Sequence, residues 1–308
     1  MCSDLSMSLP PPGDRILRAF WRCLPKHTFS RVLGAIWRIP LGRFVRAPVL
    51  SVFARACAIE VGEAEKPLRE YGSIHDFFVR RLRPGVRLVS LEDDVVCCPA
   101  DGRVVETGLA TSGRMMNAKG MGFSLQELLA DAEAARFLEG GPYLIVYLSP
   151  SDYHRVHAPT SGRVMAWLHV PGQLFSVAEA SLRREPRLFA RNERLVTLIE
   201  GELVGPCACV MVAAFGVGDI TTSYDAEDDP RHRHCAGGAV LAKHFASPPR
   251  VRKGDELGIF HLGSTVITVF APGQVELSPL PCGAPVRVGQ SIGRVVRGRP
   301  DLARASHP

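Results

Sequence analysis

From Tyr143 onward the apolar positions fall in short runs bounded by Pro and Gly. Tyr143–Leu148, Arg163–Val170, Leu195–Ile199, Cys207–Phe215 and Ile259–Phe270 are rich in Val, Ile and aromatic residues, which favour extended backbone. Separated by Pro/Gly turns, the runs predict strands. One turn pattern feeds them repeatedly: Pro99-Ala-Asp-Gly102-Arg-Val, Pro159-Thr-Ser-Gly162-Arg-Val and a looser Pro272-Gly273-Gln-Val. Recurring turns of this kind predict an α+β chain whose predominantly antiparallel β core is made of stacked hairpins, barrel-sandwich-like. The last run carries a break, Leu262-Gly263-Ser264-Thr265. A glycine inside a strand weakens it and marks a bulge or a close backbone approach. Here it also leaves a carbonyl unshielded beside a hydroxyl.

Helical spacing is confined to the first half. In residues 14–56, Ile16, Leu17, Phe20, Trp21 and Leu24, then Phe29, Val32, Leu33, Ile36 and Trp37, then Phe44, Val45, Val49, Val52 and Phe53 recur at threes and fours. Pro25, Pro40 and Pro48 are expected to cut this segment into short amphipathic helices. Ser73-Ile74-His75-Asp76 has capping-box spacing and opens a helix through Phe77, Phe78 and Leu82. Ser124-Leu125-Gln126-Glu127 opens another, with Leu125, Leu128, Leu129 and Leu138 as its apolar face and Gly140-Gly141 as its stop. Residues 225–238, acidic and then rich in His and Arg, read as a mobile loop.

Charge changes the picture of the N-terminal helices. The chain carries +6, yet Arg15, Arg18, Arg22, Lys26, Arg31, Arg38, Arg43, Arg46 and Arg55 lie in a window without Asp or Glu. Nine from +6 leaves −3 for the rest. Basic faces opposite Trp and Phe suit an anionic membrane surface. Nucleic acid is the rival partner, but no recognition motif accompanies the patch. A mitochondrial presequence has the same Arg-rich, acid-poor character. The nine cysteines form no Cys-x-x-Cys pair, which points to reduced thiols in a cytosol-facing protein rather than a disulfide framework. No secretory signal and no span of about 18 uninterrupted apolar residues is seen. At 308 residues and 46% hydrophobic, the chain has enough apolar residues for a sizeable core.

Three short sequences place polar chemistry among these strands: Pro99-Ala100-Asp101-Gly102, Asp152-Tyr153-His154-Arg155-Val156-His157-Ala158-Pro159, and Leu262-Gly263-Ser264-Thr265. Taken singly they are a turn, a His-x-x-His and a bulge. Together they supply a carboxylate, an imidazole and a hydroxyl, the parts needed to activate a serine.

With Phe77-Phe78-Val79-Arg80, Tyr147-Leu148-Ser149-Pro150, Val170-Pro171-Gly172, Leu174-Phe175-Ser176-Val177 and Phe189-Ala190-Arg191-Asn192-Glu193-Arg194, these motifs resemble bacterial phosphatidylserine decarboxylase over about residues 60–295. The resemblance implies a precursor that cuts itself. Ser264 would attack the Gly263 carbonyl, and the resulting ester would eliminate and hydrolyse to leave a pyruvoyl group at residue 264. Asp101, His157 and Ser264 match the family's processing triad. His154 matches a second histidine, the candidate proton donor in decarboxylation. The mature enzyme would take phosphatidylserine through a Schiff base to phosphatidylethanolamine and CO2. It would do so as an α–β heterodimer, commonly dimerised again, peripheral on the cytoplasmic side of the cell membrane. The implied division is a basic membrane-binding segment 1–60, a β chain core 61–263, and an α chain 264–308 sharing that core.

Two other classes use the same residues. A Ser-His-Asp hydrolase of lipid esters would stay one chain, but Ser264 lacks the Gly-x-Ser-x-Gly elbow. A non-catalytic membrane-docking β module would make all three motifs turns and carry no carbonyl-reactive group. A zinc site from His232, His234 and Cys235 is short of a fourth ligand. No metal is expected.

Overall fold

In the computed structural model, residues 34–111, 114–115, 122–177, 181, 185–214, 220–225, 238–261 and 264–296 are described. In chain order the strands of the first half are β1 (Val95–Cys97), β2 (Gly102–Leu109), β3 (Arg114–Met115), β4 (Phe123–Ser124), β5 (Pro142–Leu148), β6 (Arg155–His157) and β7 (Gly162–Val170). They continue as β8 (Arg194–Gly201), β9 (Gly205–Ala213), β10 (Ile220–Thr222), β11 (Leu241–His244) and β12 (Arg250–Val251). The last five are β13 (Glu256–Phe260), β14 (Ser264–Phe270), β15 (Val275–Leu277), β16 (Pro285–Val286) and β17 (Ser291–Val295). The α-helices lying wholly among the described residues are α1 (Arg46–Ala56), α2 (Ile74–Phe78), α3 (Leu125–Leu129), α4 (Ala132–Leu138) and α5 (Leu188–Arg191).

A nine-stranded sheet runs in the order β11-β7-β8-β9-β14-β5-β2-β16, with β12 also paired to β7. Its pairings are antiparallel, so the α+β, antiparallel reading of the sequence holds. The sheet is open and does not close into a barrel. Turn glycines start two of its strands: Gly102 opens β2 and Gly162 opens β7. Both positions demand glycine for want of room. A Cβ on Gly102 would sit 2.1 Å from the Tyr147 carbonyl oxygen, and one on Gly162 would sit 2.3 Å from that of Glu200.

β14 shows why the strands read as continuous apolar runs. Its seven residues are all buried. Val266 and Phe270 join a cluster on one face with Val146, Cys209 and Met211. Ile267 and Val269 join the cluster on the other face with Ile145, Val210 and Val212. Period-two alternation therefore survives in space, but both faces are dry.

The break in the last run is larger than a bulge. β13 belongs to a separate three-stranded sheet, β10-β13-β6, whereas β14 is central in the large sheet between β9 and β5. The chain changes sheets between Phe260 and Ser264. A one-residue bulge would keep both halves on the same partners.

Near the N-terminus, α1 packs through Leu50 and Ala54 against Ile59, Tyr71 and Phe77 in a third cluster. Pro48 does not cut this helix as the sequence suggested; it lies in the first turn, where an N–H has no intrahelical acceptor to lose. Residues 1–33, and with them Pro25 and the basic residues up to Arg31, lie outside the described residues. No helix among the described residues is long and apolar enough to cross a membrane.

The helix expected from Ser124 to Leu138 is two helices. Ser124 and Glu127 form the capping box, but Ala130 turns left-handed at φ 55° and Asp131 recaps the chain by accepting from the N–H groups of Glu133 and Ala134. A short polar side chain that can serve two orphan amides restarts a helix at little cost. The helix from Ser73 also stops early, at Phe78. The expected loop 225–238 begins on an anchored residue. Asp225 is buried, accepts from Trp167 Nε1 at 2.7 Å and pairs with Lys243. Residues 226–237 are outside the described residues, as are His232, His234 and Cys235.

Candidate active site

Antiparallel register brings the three polar motifs to one end of the large sheet. β14 starts there with Ser264, which pairs with Leu148 at the end of β5 and with Ala213 at the end of β9. β2 starts there too, and Arg103 pairs with Tyr147. Asp101 immediately precedes β2. Asp101 and Ser264 are thus separated by β5, on the order of 10 Å at the usual strand spacing. His157 joins the same corner through its backbone N–H, which donates to the Pro99 carbonyl at 2.8 Å. His154 joins it through its carbonyl, which accepts from Phe260 N–H at 2.9 Å.

Ser264 is fully buried, and its Oγ has no hydrogen-bond partner. A buried hydroxyl left unpaired costs about 1–3 kcal/mol. By strand alternation it points to the face of Val266, where Ala100, Ala158 and Phe260 complete the lining cluster. Gly263 lies outside the described residues.

Asp101 is gripped from two sides. Arg87 Nε donates to both carboxylate oxygens at 3.0 Å, and Arg87 Nη2 lies 2.5 Å from Oδ2. Val288 N–H donates to Oδ1 at 2.8 Å. Arg87 is itself shared with Glu63, at 2.7 Å. Burial alone would lower the Arg87 guanidinium, but the hydrogen bonds to Asp101 and Glu63 outweigh it and hold its pKa above the ordinary value. The same guanidinium holds Glu63 below the usual carboxylate range.

The two histidines share one tautomer. His157 Nδ1 lies 2.8 Å from the Gly254 carbonyl oxygen, and His154 Nδ1 lies 2.9 Å from that of Asp152. A carbonyl only accepts, so each Nδ1 carries the proton and each Nε2 presents a lone pair. On His157 that lone pair faces the Tyr153 hydroxyl at 3.3 Å. Burial pushes the Tyr153 phenol up to about 12, so the phenol stays protonated and donates. On His154, Nε2 has no partner. The His154 ring is fully buried and packs on Phe78 with centroids 4.1 Å apart. Burial, with Arg80 adding to it, pushes this imidazole down to about 3; burial lowers His157 as well. Both rings are neutral near pH 7.

The corner therefore holds Ser264, Asp101, His154 and His157, but no hydrogen bond joins Asp101 to His157 or either histidine to Ser264. The carboxylate the sequence paired with His157 is held by Arg87 instead. The sequence reading did not assign Arg87, Tyr153 and Gly254. Tyr153 lay in plain view inside the His motif. Arg87 sits in an irregular stretch with no local signal. Among the described residues no group of three His, Cys, Asp or Glu is placed to hold a metal ion.

Comparison with known proteins identifies the family. The phosphatidylserine decarboxylase family model matches residues 74–294. The phosphatidylserine decarboxylase proenzyme of Anaeromyxobacter sp. (strain K) is 42% identical over 284 residues, covering 91% of this chain and 99% of that protein. The proenzyme of Myxococcus xanthus (strain DK1622) is 38% identical over 282 residues, again 91% and 99%. That of Ectopseudomonas mendocina (strain ymp) is 39% identical over 273 residues, 88% of this chain and 94% of the relative. A match over most of both chains, with Asp101, His154, His157 and Ser264 all inside the matched span, leads to one conclusion: the chain belongs to the phosphatidylserine decarboxylase family of carboxy-lyases.

Proposed function

We propose that this chain cuts itself between Gly263 and Ser264 and then converts phosphatidylserine to phosphatidylethanolamine and CO2 with a pyruvoyl group made from Ser264. The observation that carries the reading is the Ser264 hydroxyl, sealed in the core without a partner at the point where the chain changes sheets. Alanine there would pack without the penalty of a stranded hydroxyl. The name of the relatives, proenzyme, supports a processed chain.

In this reading His157 Nε2 takes the Ser264 proton once the Tyr153 hydroxyl gives way, and the Gly254 carbonyl keeps its tautomer. The Asp101 charge, fixed by Arg87, favours the imidazolium across the corner. Ser264 Oγ bonds to the Gly263 carbonyl carbon as the Gly263–Ser264 C–N bond breaks, and the freed nitrogen takes the proton. Loss of the Ser264 α-proton then expels the Gly263 carboxylate. Water finally replaces the nitrogen, which leaves as ammonia. The new N-terminus stays in place, because β14 is laddered to β5 and β9 on either side. The pyruvoyl ketone supplies an electron sink for the substrate's amine-bearing carbon when CO2 leaves. His154 Nε2, the unpartnered lone pair, would take up a proton once the substrate's carboxylate offsets its burial, and would return it to the carbon after decarboxylation. The hydrolase alternative fits less well, because Ser264 begins a strand and is not on a strand–helix elbow.

Intact mass of the purified protein tests the proposal. The expected result is two pieces, 1–263 and 264–308, the smaller blocked by a ketoacid; one full-length mass would refute it. A His157→Ala precursor is expected to convert at least ~100-fold more slowly on a gel time course, the usual loss when a general base is removed.

The lipid side of the proposal rests on α1 and the residues before it. Phe44 is 86% exposed and Val52 65% exposed, beside Arg43, Arg46 and Arg55. Exposed apolar side chains among cations suit a peripheral seat on an anionic leaflet, here proposed as the cytoplasmic one. Reversing Arg43, Arg46 and Arg55 to Glu should weaken sedimentation with phosphatidylserine vesicles by on the order of 100-fold at low salt. Neutral vesicles should show little change.

A further inference from the structure

A chain of three polar side chains lies beside the scissile segment and has no part in the roles above. His75 of α2 and His261 meet through Nε2 and Nδ1 at 2.8 Å. Their rings are parallel within 6° with centroids 5.0 Å apart, which fits an in-plane N–H···N bond. The other nitrogen of His261, Nε2, lies 3.2 Å from Thr221 Oγ1 on β10. A ring nitrogen and a hydroxyl can each donate or accept, so both bonds can form in either direction of donation. His261 is buried, and it stands three residues before Ser264.

The position gives the chain its meaning. On the upstream side, Phe260 pairs with Ile220 and donates to the His154 carbonyl. The His261 side chain is then tied to two different elements. Downstream, Ser264 is laddered on both sides. His261 and Ser264, the described residues on either side of the proposed cut, are thus each held. Attack on a carbonyl is fast only when the approach is already set.

We infer that His261, held by His75 and Thr221, is a positioning residue for self-cleavage: the clamp fixes the upstream end of the scissile link so that the Gly263 carbonyl meets Ser264 Oγ. The inference rests on the self-cleavage reading and adds residues to it. His75 enters this inference through its bond to His261. It also brings α2 to the site, the same helix whose Phe78 packs on His154 and whose Phe77 contacts Phe53 of α1.

The test follows conversion of freshly translated precursor on gels for His75→Ala, His261→Ala and the double variant. Each single change is expected to slow conversion ~10-fold, the order of effect of a misplaced carbonyl. The double variant should be no slower than the slower single, since either change breaks the same bond. His75→Gln, which keeps a hydrogen-bonding amide, should recover most of the rate. Wild-type conversion by His75→Ala, multiplied losses in the double variant, or no recovery with Gln would each overturn the clamp. Should His75→Ala not fold, Thr221→Val carries the test: about 3-fold slower conversion supports the clamp, and an unchanged rate overturns it. Ser264→Ala run alongside separates the two ideas. Cleavage of that variant at the same bond defeats self-cleavage by Ser264, whereas normal wild-type cleavage indifferent to His75 defeats the clamp alone.

Discussion

A Ser264→Ala chain is expected to remain a single polypeptide with no decarboxylase activity, while the parent separates at residue 264. The expected effect is total, because in the proposed reaction the hydroxyl would be both the nucleophile of the cut and the source of the ketone. A general loss of fold would give the same silence, but the structure argues against it. The Ser264 Oγ is fully buried with no partner, so its removal relieves an unpaired group and leaves room for little more than one atom. The variant should unfold at equal or higher denaturant, by about 1–3 kcal/mol at most. Mass spectrometry, an activity assay and a denaturant midpoint settle the matter together. An uncut chain that still releases CO2 would refute the proposed cofactor.

The second large effect falls on His154. A His154→Ala chain should still divide at 263/264, yet its turnover should drop by about 10²–10⁴-fold, the range for removal of a general acid or base. Normal turnover would remove the assigned role. The structure also predicts a pH signature of the burial. Unfolded, the imidazole titrates at its ordinary value of 6.5; folded, burial pushes it down to about 3. Between those values the unfolded chain binds the extra proton. Stability is therefore complete above pH 6.5 and falls as the pH drops toward 3, at about 1.4 kcal/mol per unit at most from this group. Replacing His154 by Leu should flatten that part of the acid denaturation curve.

How much of this was legible before the structure differs by element. The buried strands stood out because β-branched runs bounded by Pro and Gly admit few other readings, and the observed strands begin within two residues of most predicted starts. The Ser124 capping box was legible for the same local reason. The split at Ala130 was not legible, because only the fold shows the Asp131 carboxylate serving two amides. The effect of Pro48 was misjudged because helix starts are set by packing, and Leu50 and Ala54 pull α1 onto a core that local periodicity does not contain.

The amino-acid order alone determined the parts: a hydroxyl after an unshielded glycine carbonyl, two histidines three apart, a carboxylate at a turn, and basic residues gathered at one end. These are properties of neighbours along the chain, and they survive in any reading of it. Only the tertiary structure decided who touches whom. It gave Asp101 to Arg87 rather than to His157, left His154 Nε2 and Ser264 Oγ unpartnered, and set His75 against His261 across 186 positions of chain. The physical reason is that burial and hydrogen-bond partnership depend on strand register and sheet order, which arise from long-range pairing and are written in no single segment.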